Sequence, residues 1–346
     1  MGAGAWRAMG WWAWFRRCGC CLAVGVWAGY WIVMNRPFQE RARFPHSKYT
    51  HFPPRARPVP IAACAGASAA TEFAFVSLLS TLWERVCFLD CFERYVKGAI
   101  VLARSIRRVT NLDMVLLVAG EARHQMSHTT RDSLVREGWI LCAVDAIGGP
   151  VSAPASNRFI LGLLYTKLTA WKLVEYTAVM TLDLDMMVMS DPTDIFTVQL
   201  PVMLAENKTL GAVIDRPGPG AIQSSKCGVQ WTDAPVFNGG SLLIVPSMRT
   251  FHTLVDGIRA TPHDASLAEQ GYLNSVFNAT FYALPFAYNG NMRSILCEPH
   301  VWGDGAVRVL HFNVEKPWGF ARMDLADEHR LVPYMLLWQS VLDRTS

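Results

Sequence analysis

Apolar, partly β-branched runs alternate with stretches of helical period from about residue 71 onward, a pattern that predicts an α/β fold with a mostly parallel sheet. Residues 73–79, 113–119 and 139–144 read as the first three strands. Between the first two, Val96, Ile100, Leu102, Ala103 and Ile106 share one helical face, and Arg107 and Arg108 close its last turn, predicting a helix over 91–108. A second helix is predicted over 127–137 and a third over 165–175. The run at 176–189 reads as one buried central strand. A turn follows at 191–196, a loop at 218–233, and later strands at 211–215, 236–245 and 307–312. Glu269 and Gln270 open an amphipathic helix.

The N-terminal pattern differs. Residues 18–34 carry no charge, and Arg16 and Arg17 precede them, which predicts a cytosolic tail over 1–17 and a transmembrane signal anchor over 18–34. The bulky Trp27, Tyr30, Trp31 and Met34 at the end of the run favour an uncleaved anchor over a signal peptide. Residues 35–70, rich in Pro and Arg, read as an extended stem, and the folded domain is expected over 71–346.

Charge sharpens this division. Residues 1–60 hold nine Lys/Arg and one acidic residue, whereas the remainder holds 23 basic and 27 acidic residues. A net acidic domain without a basic stripe excludes the usual nucleic-acid binder. Nine cysteines form no pair of CxxC motifs, which argues against a structural zinc site. Cys87 and Cys91, one helical turn apart, either pair in an oxidising compartment or are ordinary buried thiols.

The candidate chemistry centres on Asp183 and Asp185. Alternation along a strand points two such carboxylates the same way, and burying both requires a cation. Two readings stand: oxygen ligands to Mg²⁺ or Mn²⁺ at the carboxyl end of a sheet strand, or a pair capping backbone amides. Asn238, Gly239 and Gly240 either admit a ligand close to the backbone or make a hairpin turn. Glu269 and Gln270 are site residues or helix caps. His311 and Lys316 sit after an apolar strand, as a metal ligand and a phosphate contact or as plain surface residues.

Taken in order, Tyr95-Val-Lys-Gly, Tyr165-Thr-Lys, Asp183-Leu-Asp185, Phe237-Asn-Gly-Gly, Glu269-Gln-Gly-Tyr-Leu-Asn and His311-Phe with Lys316-Pro-Trp resemble family 8 glycosyltransferases, in the glycogenin-like branch that includes plant xylan glucuronosyltransferases. The resemblance covers about residues 71–320. It implies a GT-A fold, Rossmann-like, and an Mn²⁺-dependent (or Mg²⁺-dependent) enzyme. That enzyme would move a hexose-type sugar from a UDP-sugar to a glycan, lipid or protein acceptor with retention of configuration. Carried over, Asp183, Asp185 and His311 are metal ligands, and Lys316 contacts the diphosphate. Tyr95 and the strand end at 77–79 flank the base. Lys167, Asn238 and Gln270 line the donor sugar, Gly239 joins the donor-binding residues, and Asp183, Asp185, Glu269 and Gln270 are the implied catalytic set.

The chain departs from the family pattern at Glu269, where Asp is usual, and at Val314, where Gly is usual. These departures keep open an inactive, membrane-tethered nucleotide-sugar-binding scaffold. Residues 291–310 contain no Tyr, so self-glucosylation by the glycogenin route is not expected. The anchor and two sequons, Asn207-Lys-Thr209 and Asn278-Ala-Thr280, predict a single-pass type II protein of the Golgi or ER membrane with a lumenal catalytic domain. A homodimer is left open.

Overall fold

A computed structural model of the chain describes residues 70–80, 91–120, 122, 126–150, 163–215, 236–278, 280–297, 302, 307–313, 316–318 and 330–344. The elements run in chain order as β1 (Phe73–Ser80), α1 (Cys91–Arg107), β2 (Asp113–Ala119), α2 (His128–Arg136), β3 (Trp139–Val144), a 3₁₀ segment (Tyr165–Lys172), β4 (Ala178–Leu182) and β5 (Met186–Val188). A π-type turn (Ile195–Gln199) leads into α3 (Leu200–Ala205), followed by β6 (Leu210–Ile214), β7 (Phe237–Ile244), α4 (Met248–Gly257) and α5 (Ala268–Phe277). The described chain closes with β8 (Tyr282–Ala283), β9 (Gly290–Asn291), α6 (Met292–Cys297), β10 (Val309–His311) and α7 (Val332–Leu342).

Seven strands form one sheet in the order β3-β2-β1-β4-β7-β6-β8. All pairings are parallel except those of β7, which runs against β4 and β6. Every residue of β2 is buried, as a strand covered on both faces requires. Alternation on β1 sends Phe75 and Leu79 to the face covered by α1, through Val96, Leu102 and Ile106, and Ala74 and Val76 to the face covered by Leu168 and Trp171 of the 3₁₀ segment. A smaller sheet, β5-β10-β9, packs Met187 and Leu310, together with Met292 of α6, against Met335 and Trp338 of α7. α2 begins where the Ser127 side chain accepts from Thr130 N at 3.0 Å.

The expected helix at 165–175 is an eight-residue 3₁₀ segment instead. The turn expected at 191–196 develops into the π-type turn and α3. Cys142 on β3 is in a disulfide, and Cys87 lies outside the described residues. The loop at 218–233, the residue Val314 and the tail, anchor and stem over 1–69 lie outside the described residues.

The single-pass Golgi or ER membrane placement is corrected. Among the described residues no helix is long and apolar enough to cross a membrane. The stretch that suggested one is also short for a span, since 17 residues of helix rise about 26 Å, against a hydrocarbon core of about 30 Å.

Candidate active site

The site begins where β4 stops. The expected strand over 176–189 is broken: β4 ends at Leu182, Met186 N bonds Asp183 O at 3.0 Å to close a turn, and β5 starts at Met186 in the other sheet. β4 is paired on both edges, with β1 and β7, whereas β5 pairs with β10, so the chain must turn to pass between sheets. The turn is held on both flanks, by Asp183 N to Gly240 O and Phe312 N to Asp185 O, each 2.9 Å. It also needs Gly98 on α1, because a Cβ there would collide with the Leu184 carbonyl oxygen. A turn rather than strand alternation therefore brings Asp183 and Asp185 together.

His311 ends β10 beside them. One ligand atom from each of Asp183, Asp185 and His311 lies within 4.8 Å of the others. Asn289 donates from Nδ2 to Asn238 Oδ1 at 2.9 Å, which turns its own Oδ1 to His311 Nδ1 at 3.0 Å. An amide oxygen only accepts, so Nδ1 carries a proton, and Nε2 faces Asp185 Oδ1 at 3.5 Å. Lys316 Nζ pairs with Asp185 Oδ2 and donates to Phe312 O at 3.1 Å. Burial pushes the Asp185 carboxyl up, but Lys316 and His311 outweigh it and hold the group well below the usual carboxylate range. Two carboxylate oxygens and an imidazole nitrogen fit a hard divalent cation.

A second cluster joins the first through Asp183. Lys167 Nζ is buried 2.8 Å from Asp183 Oδ1 and 2.7 Å from Glu269 Oε1, and donates to Gly239 O at 3.1 Å. Burial alone would lower its pKa, yet the two carboxylates leave it above the ordinary lysine range. Burial pushes Glu269 up; Lys167 opposes and Asp183 adds to the shift. Gln270 accepts from Gly239 N at 2.8 Å and donates to Asp215 Oδ2 at 3.3 Å. Asn238 accepts from Gly240 N at 2.9 Å and donates to Asp215 Oδ2 at 3.0 Å. The reversed direction of β7 explains the meeting: its N-terminal residues lie at the same sheet edge as the carboxyl end of β4, with Ser241 opposite Leu182. A Cβ on Gly240 would lie 2.5 Å from His311 Cε1.

Tyr95 on α1 packs its ring 4.9 Å from that of Trp318, and burial, then Asp185 and Asp183, push its hydroxyl pKa up. Ser77 on β1 donates to Leu182 O at 2.6 Å, at the carboxyl end of β4. All the other site residues anticipated from the sequence converge on this one edge. Three further polar residues here were not anticipated: Asp215, Asn289 and Asn291, the last of which donates to Asp215 Oδ1 at 3.3 Å. A carboxylate directly after the apolar run of β6 was the available signal for Asp215; Asn289 and Asn291 carried none.

A mixed α/β fold of GT-A type with this cluster at its sheet edge defines a glycosyltransferase. The profile of Glycosyl transferase family 8 matches residues 86–321, and the chain belongs to that family. It is 27% identical to galactinol synthase 1 of Arabidopsis thaliana over 285 residues, 75% of this chain and 79% of the relative. Galactinol synthase 1 of Ajuga reptans is 25% identical over 277 residues, 74% and 81% of the two chains. Among solved structures, the galactosyltransferase LgtC in complex with donor and acceptor sugar analogues shares the fold, with a TM-score of 0.52 and 17% identity over 79% of this chain and 97% of that one.

Proposed function

We propose that residues 71–346 form a catalytic domain that transfers a hexose-type sugar from a UDP-sugar to an acceptor hydroxyl, with retention of configuration, and that Mn²⁺ or Mg²⁺ is held by Asp183, Asp185 and His311. The observation that carries the reading is the convergence of one ligand atom from each of these residues within 4.8 Å. A divalent ion there supplies positive charge against the departing diphosphate. Lys316, already beside Asp185, offers a second cation to the same phosphates. The Tyr95 ring provides an apolar face for the base. Asn238, Gln270 and Asp215 present donors and acceptors to sugar hydroxyls, and Lys167 neutralises Asp183 and Glu269 behind them. Glycan, lipid and protein acceptors fit this reading, and the similarity to galactinol synthases puts UDP-galactose first among donors and galactinol formation first among reactions to assay.

The test is UDP release by the full-length chain from a panel of UDP-sugars, with Mn²⁺ and with chelator. Release from one donor that disappears with chelator is expected. UDP binding without release from any donor would return the scaffold reading, and neither binding nor release would sink the site assignment.

A further inference from the structure

The last turns of α1, α2 and α7 meet away from the candidate active site. Arg104 lies nine residues beyond Tyr95 on α1, about 14 Å farther along the helix axis. These ends line a cleft of about 340 Å³ in which five arginines, Arg104, Arg107, Arg108, Arg136 and Arg344, accompany one acid, Glu137. Three of the arginines are tied into the fold. Arg104 bonds Glu137 Oε1 through Nε at 2.9 Å and Nη2 at 2.6 Å, and reaches the Val341 and Leu342 carbonyls at 3.1 and 2.8 Å. Arg107 donates to Leu112 O at 2.8 Å and Gly138 O at 3.2 Å, and Arg108 to Val188 O at 3.2 Å. Each satisfies carbonyls left open at helix or strand ends, a structural role that accounts for its position.

That role does not reach Arg136 and Arg344. Both are exposed, and among the described residues no hydrogen bond or ion pair holds either guanidinium. Two such groups therefore stand at a cleft whose one carboxylate is already committed to Arg104. Guanidinium forks match phosphate oxygens in pairs. The volume suits a small ligand, near the lower end of the roughly 300–1,000 Å³ of ligand pockets. We propose that this cleft binds a compact ligand carrying two or more phosphate groups, bridged between Arg136 and Arg344 over the positive charge of the three anchored arginines. A free oligophosphate and the phosphorylated headgroup of an inositol lipid present the same chemistry.

The experiment is calorimetric titration of the full-length chain with inorganic tripolyphosphate at low salt. It is made in the Lys316→Ala background, so that phosphate capture at the candidate active site does not contribute. Saturable binding is expected, weakened about tenfold or more in the added Arg136→Ala/Arg344→Ala variant, the scale of lost hydrogen bonds to charged groups. Both positions are exposed, so an unchanged thermal midpoint and unchanged UDP release are expected of Arg136→Ala/Arg344→Ala made in the chain that keeps Lys316. Cosedimentation with phosphatidylcholine vesicles, with and without phosphatidylinositol 4,5-bisphosphate, separates the sources. Capture by the phosphoinositide vesicles, lost in the double variant, identifies a lipid headgroup. Binding of tripolyphosphate alone identifies a free ligand. No saturable heat in the Lys316→Ala protein, or heat that the double variant leaves unchanged, overturns the proposal.

Discussion

His311 donates from Nδ1 to Asn289 Oδ1 at 3.0 Å, and this bond presents Nε2 to Asp185. Asn289 touches neither carboxylate in any bond described above, yet it keeps a proton on His311 Nδ1 and leaves Nε2 to face Asp185. Asn289→Ala is expected to raise the Mn²⁺ concentration giving half-maximal UDP release by about ten- to a hundredfold, the usual cost of losing a group that orients a ligand. Saturating Mn²⁺ should restore most of the rate. A rate loss that metal does not recover would mean that Asn289 acts otherwise.

Asp185 is the buried member of the carboxylate pair, shared between Lys316 and His311. Asp185→Asn keeps its shape and removes its charge. It should cut metal-dependent UDP release by at least about a hundredfold and weaken Mn²⁺ binding measured by calorimetry. Full metal-dependent activity in this variant would remove Asp185 from the site.

Gly98 tests how closely α1 must approach the Asp183–Asp185 turn. In a helix interior, Gly→Ala ordinarily stabilises by about 1 kcal/mol. Here the new Cβ meets the Leu184 carbonyl oxygen and lies 3.2 Å from the Trp318 ring. Gly98→Ala is therefore expected to destabilise by about 1–3 kcal/mol, as overpacking does, and to weaken Mn²⁺ binding. A rise in the urea midpoint would show that the turn yields without cost.

Glu269 gives a pH test with a definite sign. Its folded pKa is raised, chiefly by burial. Its contribution to stability is thus fully present below the unfolded carboxylate pKa and is lost as pH rises through the folded value. Glu269→Gln removes that loss while Lys167 keeps Asp183 as a partner. The variant should be more resistant to urea than the unmodified chain near neutral pH, with the difference closing toward about pH 4, near the unfolded pKa of a glutamate. A variant less stable at neutral pH would mean that the Glu269–Lys167 pair outweighs its burial.

Much of this protein is legible along the chain. The apolar run 113–119 and the helical pattern of Val96, Ile100, Leu102, Ala103 and Ile106 are local, and both elements form where they predict. The site residues are legible for a different reason. Asp183, Asp185, Asn238, Gly239, Gln270, His311 and Lys316 occur in an order and with neighbours that match a family, whatever the backbone does between them. The same locality misleads at 176–189, where hydropathy has no means of marking a change of partner. Leu182 and Met186 are equally apolar, but one is bonded to β7 and the other to β10. Asp215, Asn289 and Asn291 were hidden because a polar residue at a strand edge acquires a role only from what faces it across the fold. Local propensity and pattern determined most of the elements, and the order of motifs named most of the candidate site. The reversal of β7, the crossing of the chain between two sheets and the resulting hydrogen-bond partners were decided by long-range pairing, whose energy depends on residues that are distant in sequence.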